Sequence, residues 1–281
     1  MSSGMILLSS GTPSPTTLST SALWSKPCSI VALGNKLSAL SLSSVSIKWP
    51  NSSPGTILNL DLTCINWLAI IIRTTSPAMH PNILTPEQTQ LLPLIQKFSP
   101  DFYLVGGTAL ALQYGHRRSI DFDLFSPSSF DNEKIRRRIL SQHQINTTHI
   151  ASAGELTLIV DGIKTTFFQY EYPISHPVLF EKIISLPDDL TIGAMKAFAM
   201  GQRNKWKDYA DLYFIFQHHS LQEIIDKAEE LFGTGLFNSR LFREQLAYHV
   251  DISYDEEIEW MPGFEVPKDT ILEKLIDISL S

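Results

Sequence analysis

After residue 79 the alternation of apolar and polar positions changes period several times. TPEQTQLLPLIQKF (85–98) is spaced as a helix, with Thr85 placed to cap it, Pro86 in the first turn and Glu87 close behind. FYLVGG (102–107) predicts a short apolar strand ending on a glycine pair. TALALQYG (108–115) returns to helical spacing, with Gly115 as its stop. SIDFDLF (119–125) alternates strictly, as a half-buried strand does. NEKIRRRIL (132–140) predicts a basic amphipathic helix. ELTLIV and IKTTFFQY flank Asp161-Gly162, the composition of a hairpin over 155–170. From Asp188 onward the spacing is helical, over 190–200, 206–217, 220–231, 238–247 and 268–279.

This order predicts an α+β class: a small mixed β-sheet flanked by helices, followed by a helical C-terminal half. The expected division is a core over 79–187 and a helical region over 188–281, meeting near SLPDD (185–189).

Composition adds a seam. Apolar content is 43% and charged content 18%, ordinary for a globular chain. Of the 22 basic and 29 acidic residues, the first 78 positions hold only four and one, among 25 Ser or Thr. The other 203 residues carry 18 and 28, a formal charge of −10. The block 1–78 reads as an organelle transit segment, a disordered extension, or a mis-called start with Met79 as the true first residue. Its apolar run INWLAIII (65–72) is far short of the ~20 residues that span a bilayer, so no membrane segment is expected. Both cysteines, Cys28 and Cys64, lie in this block. The remainder has no thiol for a disulfide or a thiolate metal site, which suits a reducing cytoplasm.

The candidate chemistry sits in GGTALALQYGHRRSIDFDLF (106–125). On a strand, Asp121 and Asp123 share one face, about 7 Å apart, while Ile120, Phe122 and Leu124 share the other. Two such carboxylates repel each other and are costly to bury; a divalent cation removes that cost. Mg²⁺ suits hard oxygen ligands, one or two carboxylates together with substrate phosphates. Gly106 and Gly107 let the backbone approach an anion at a helix N-terminus, and the Thr108 hydroxyl can donate as well. His116, Arg117 and Arg118 are placed to add positive charge. Each part also has a plain explanation: a tight turn, a solvated strand edge, a wetted surface.

A second cluster lies in TIGAMKAFAMGQRNKWKDYADLYFIF (191–216). If Gly201 and Asn204 leave the helix unbroken, Lys196, Arg203 and Lys207 fall within roughly 40° of each other, with Asp211 a further 40° on. Asp208 and Asp211 are neighbours. The plain alternative is helix salt-bridging, Lys207–Asp211 above all, worth only ~0.3–0.5 kcal/mol. Lys196, among apolar neighbours, can instead be a preorganised charge for a phosphate.

Taken together, GGTALAL with RRSIDFDLF, then MKAFAMGQRNKWKDYADLYFIF and more loosely AYHVDISYDEEIEWMPGF (247–264), resemble the nucleotidyltransferase superfamily, and within it the AbiEii/AbiGii-type toxins. The resemblance covers about residues 85–270 and implies a polymerase-β-like nucleotidyltransferase core. It implies a nucleotide-phosphate turn at Gly106, Gly107 and Thr108, Mg²⁺ (or Mn²⁺) on Asp121 and Asp123, and catalytic roles for Lys196 and Asp208. Arg118, Arg203 and Lys207 are the further nucleotide-binding candidates. The implied substrate is an NTP, and the implied partners are an RNA acceptor such as tRNA and a cognate antitoxin. This chain departs from the superfamily in lacking a third carboxylate on the following strand, IKTTFFQY (163–170); Asp161 sits in the predicted turn, and Asp208 is the other acid placed to complete the site. That departure leaves open a non-catalytic nucleotide-binding or toxin-pairing module. An antibiotic nucleotidyltransferase with a small polycationic acceptor is also open. A charge of −10 excludes a generic polyanion binder, yet KIRRR (134–138) with Arg117 and Arg118 forms a local basic patch suited to RNA phosphates.

Overall fold

The computed structural model describes residues 78–281; apart from Ala78, the Ser/Thr-rich block with Cys28, Cys64 and INWLAIII lies outside the described residues. Local chemistry sets many element ends. Helix α1 (Pro86–Phe98) opens on a capping box in which Thr85 Oγ1 accepts from the Gln88 amide at 3.2 Å. The Thr85 amide in turn donates to Gln88 Oε1 at 3.0 Å, and Glu87 stands in the first turn as expected. Strand β1 (Tyr103–Val105) passes straight into helix α2 (Gly106–Tyr114), which Gly115 closes in the left-handed conformation at φ 69°. Strand β2 (Phe122–Ser126) follows, then helix α3 (Asn132–Leu140), capped by Asp131.

Three further strands, β3 (Ile145–Ser152), β4 (Glu155–Val160) and β5 (Ile163–Gln169), complete a five-stranded sheet in the order β1-β2-β5-β4-β3. Only the β2–β5 pair is parallel, so the sheet is mixed, as expected. The hairpin at Asp161-Gly162 forms, with both residues at positive φ (47° and 84°). A two-stranded ribbon of β6 (Val178–Phe180) and β7 (Ile184–Leu186) leads to five helices: α4 (Asp189–Met200), α5 (Trp206–Ile215), α6 (Leu221–Phe232), α7 (Ser239–Ala247) and α8 (Lys268–Ser279).

One sheet face buries Phe122, Leu124, Leu156, Leu158, Val160 and Phe167. Phe98 at the end of α1 meets the Phe167 ring edge-on at 4.8 Å, and Ile135 and Ile139 of α3 belong to the same core. The opposite face is less covered: Asp123, Phe125, Lys164, Thr166 and Phe168 are all partly exposed. From this face a chain of aromatic contacts, Phe125–Tyr170–Tyr172–Phe232–Phe198, reaches α6 and α4 with ring centroids 4.1–5.0 Å apart. It fixes α4 beside the half-open sheet face. The buried apolar residues form one core, running from Ile83 to Leu275.

Two expectations change. Ile120 does not join Phe122 and Leu124: it precedes β2 and is 55% exposed. The helical run through 191–216 breaks at 201–205, so Lys196, Arg203 and Lys207 do not line one helix face.

Helix packing is close at Gly193, where an added Cβ would lie 2.6 Å from Ile224 Cδ1 and 3.1 Å from Ile215 Cγ2. Gly193→Leu is expected to overpack the α4–α6 contact and lower stability by about 1–3 kcal/mol, read as a lower urea midpoint at unchanged m-value.

Candidate active site

Strand β1 and helix α2 meet at Gly106, whose φ of 72° an L side chain adopts only under strain. Val105 pairs with Asp123 across the β1–β2 ladder. The glycine and the carboxylate are therefore neighbours, and a Cβ at Gly106 would lie 2.5 Å from Asp123 Oδ2. The bare backbone at a helix N-terminus and the acidic pair thus occupy one place. Gly107 is tight for another reason: its Cβ would lie 2.6 Å from Arg117 Nη2 and 2.9 Å from Ser119 Oγ. The Thr108 hydroxyl, expected as a free donor, instead donates to the carbonyls of Asp121 and, at 3.3 Å, Ser119. It ties α2 to the lead-in of β2, while Gly106 and Gly107 stay partly exposed.

Asp121 is partly exposed, and its Oδ2 lies 3.4 Å from Lys164 Nζ on β5. Asp123 has its carboxyl held above the usual range, first by burial and then by repulsion from Asp121; Lys164, Arg203 and Lys196 pull it the other way. That balance places both sequence clusters within each other's field.

Behind this open pair lies a buried ionic network. Asp211, fully buried, receives Arg117 Nε at 2.7 Å and Nη2 at 2.8 Å, His116 Nε2 at 2.8 Å and Lys196 Nζ at 2.7 Å. Lys196 also donates to Asp208 Oδ1 at 2.7 Å, and the half-exposed Arg203 donates to Asp208 Oδ2 at 3.0 Å. Burial raises both carboxyls, yet Lys196 with Arg203 lowers Asp208, and Arg117 with Lys196 takes Asp211 well below the usual range. Burial opposes the Lys196 ammonium, but Asp208 and Asp211 outweigh it and hold its pKa up. Burial pushes His116 down, and the nearby Arg117 and Lys196 add to this against the opposing pull of Asp211. A neutral His116 donating through Nε2 fits, and its Nδ1 has no partner. Two buried cations thus face two buried anions.

Several predicted roles shift. His116 and Arg117 supply no open positive charge, because both are buried on Asp211. Arg118 is turned onto Glu259 at 2.6 Å, and Lys207 onto Glu256 at 3.0 Å rather than onto Asp211. Lys205 joins Glu256 at 2.8 Å, and the two ammonium groups hold that carboxyl near pKa 2. The acidic stretch 251–259 is therefore a strap: Arg118 N donates to Glu259 O and Trp206 N to Ser253 O. It pairs Arg118 and Lys207 with acids, so neither is the unpaired cation expected from the sequence. Asp161 caps its own turn, accepting from His143 Nδ1 at 2.7 Å and the Gln144 amide at 2.9 Å, and is not part of the pair. Asp208 does not complete the pair either, being committed to Lys196 and Arg203. Residues that sequence reasoning left outside the site are Asp211 and Lys164. Three positions past Asp208, Asp211 carried a helical-spacing signal; Lys164 carried only its place on a strand with no acid.

Asp121 and Asp123 offer only carboxylate oxygens, and the Asp123 carboxyl is raised by burial and then by the charge of Asp121, which fits a hard divalent cation such as Mg²⁺. No group of three or more His, Cys, Asp or Glu side chains placed to hold a metal occurs among the described residues.

Comparison with known proteins gives the following. Residues 94–185 match the family model described as "Nucleotidyl transferase AbiEii toxin, Type IV TA system". The match contains the glycine turn, both aspartates and Lys164, and ends before Lys196. An uncharacterized protein of Aquifex aeolicus, aq_aa25, is 41% identical over 123 residues, which is 42% of this chain and 59% of that relative. The chain thus spans less than two thirds of the relative's length. Among solved structures, MenT4, a nucleotidyltransferase toxin of Mycobacterium tuberculosis, is 13% identical, covering 68% of this chain and 82% of its own at a TM-score of 0.46. JHP933 of Helicobacter pylori is 15% identical, covering 72% and 92% at a TM-score of 0.45.

Removing one partner from the buried network leaves uncompensated charge, so Asp211→Asn is expected to cost about 3–5 kcal/mol near neutral pH. A carboxyl lowered on folding stabilises above its unfolded pKa and loses that contribution as pH falls toward its folded value. The difference between wild type and Asp211→Asn in urea unfolding is expected to stay flat from pH 8 to 5 and to shrink below about pH 4.

Proposed function

We propose that the chain, with its AbiEii-type nucleotidyltransferase segment at 94–185, transfers a nucleotide from an NTP to an acceptor hydroxyl in a Mg²⁺-dependent reaction and acts as the toxin of a toxin–antitoxin or abortive-infection pair. The observation that carries this reading is the contact between Gly106 and Asp123: an anion-binding helix N-terminus and a cation-binding carboxylate pair share one spot.

The triphosphate lies on the turn Gly106–Thr108, whose first helical amides have no intrahelical partner. Asp121 and Asp123 hold the metal, which when bound would orient phosphate oxygens and offset the charge developing between the α-phosphorus and the leaving group. The acceptor oxygen forms a bond to the α-phosphorus, the bond to the bridging oxygen breaks, and pyrophosphate leaves with that electron pair. The acceptor's proton goes to water at the open side of the pair, since Asp208 is held anionic by Lys196 and Arg203 and is a poor base. Asp208 and Asp211 are then positioning residues that keep Lys196 charged behind the site. Arg203, half-exposed, is placed to meet phosphate.

For the acceptor, the resemblance favours RNA such as the end of tRNA, with the exposed Lys134 and Arg137 of α3 as phosphate contacts. A cognate antitoxin and a cytoplasmic location belong to the same reading. Among the described residues no helix is long and apolar enough to cross a membrane.

Incubation with α-labelled NTPs, Mg²⁺ or Mn²⁺ and a total RNA pool is expected to label RNA. Asp121→Asn/Asp123→Asn is expected to lower the rate at least about a hundredfold, since metal-based charge stabilisation is worth several kcal/mol. Absence of transfer by the wild type, or full activity in the double variant, rejects the proposal. Gly106→Ala puts a methyl against the Asp123 carboxylate at a strained φ and is expected to raise the KM for NTP while the far-UV circular dichroism stays unchanged.

A further inference from the structure

We propose that Lys164 is a triphosphate-binding residue and that the site accordingly takes a single divalent cation with each nucleotide. The inference rests on the nucleotidyltransferase reading above and adds to it the charge economy of this chain's own site.

Strands β2 and β5 run parallel with Asp123 opposite Thr166, so Lys164, Thr166 and Phe168 stand on the same face as Asp123 and Phe125. No residue of β5 is acidic, and its one charged side chain reaches to within 3.4 Å of Asp121 Oδ2. The other nearby acids are committed: Asp161 to His143 and Gln144, Asp208 to Lys196 and Arg203, and Asp211 to Lys196, Arg117 and His116. A first divalent ion meets two carboxylates. A second would meet no further uncommitted carboxylate among the described residues, and an ammonium would already stand beside one of the two.

Lys164 can also move. Its side chain is 43% exposed, and among the described residues Asp121 is the one hydrogen-bonding partner of its ammonium. An exposed pair of this length is weak, so little opposes its release. When a cation takes up Asp121, the ammonium is freed next to the place where the phosphates arrive. It then supplies positive charge on the β5 side of the pair, opposite the helix N-terminus at Gly106.

The test counts bound metal and measures nucleotide affinity without turnover. Mn²⁺ is titrated by electron paramagnetic resonance against the full chain with a saturating α,β-methylene nucleoside triphosphate, and affinity for that analogue is measured by calorimetry. One Mn²⁺ per chain is expected. Lys164→Gln is expected to weaken analogue binding about tenfold or more, as for loss of a hydrogen bond to a charged group. The same variant is expected to bind Mn²⁺ at least as well as wild type when nucleotide is absent, since a like charge has been removed. A general loss of structure would weaken both, and a thermal melt of the variant checks the fold. Two Mn²⁺ per wild-type chain, or an unchanged analogue affinity in Lys164→Gln, overturns the inference while leaving nucleotide transfer standing. A wild type that binds neither Mn²⁺ nor the analogue, and transfers no label, overturns both.

Discussion

The Asp211 carboxylate, shut off from water and met by Lys196, Arg117 and His116, is the interaction on which the site depends. An isolated buried carboxylate is costly, and only close partners offset that cost. Those partners come from two places in the chain, Lys196 from α4 and Arg117 and His116 from the segment between α2 and β2, while Asp211 itself belongs to α5. Satisfying one carboxylate therefore registers the helical half against the glycine turn. The Arg117 guanidinium reaches Gly107 so closely that no side chain fits there, which carries the network's position into the turn.

Charge is divided sharply between the two layers of the site. Behind, Lys196 and Arg117 balance Asp208 and Asp211, and the set can stay buried. In front, Asp121 and Asp123 lie close to each other with the loosely held Lys164 beside Asp121, and Asp123 is raised by burial and then by Asp121. Surplus negative charge at a half-open sheet face next to a helix N-terminus suits a cation-bound polyanion. The acidic strap 251–259 sharpens the division by taking Arg118, Lys205 and Lys207 out of circulation.

The elements with strong local signals lay open in the sequence. The capped start at Thr85, the glycine stop at Gly115, the Asp161-Gly162 turn and the five late helices each follow from interactions within a few residues. Strand β3 did not show: as the sheet's outer strand it is exposed along most of its length, and INTTHIAS has almost no apolar alternation to betray it. The β6–β7 ribbon, three residues a side, was too short to leave a period. The break at 201–205 was foreshadowed by Gly201 and Asn204, but whether a helix passes through such residues depends on what packs around them.

The glycine turn, the aspartate pair and the distant Lys–Asp cluster could be picked out from residue type and spacing alone, because backbone freedom, charge repulsion and helical period are local properties. Which cations remain available to a ligand could not. Arg117, Arg118, Lys164, Lys196 and Lys207 look alike along the chain. Folding buries two of them on Asp211, pairs two others with acids of a strap some 50 to 140 residues away, and leaves one ammonium beside the open carboxylates. A charge's role is set by its partner and its distance from water, and both are decided only when remote segments meet.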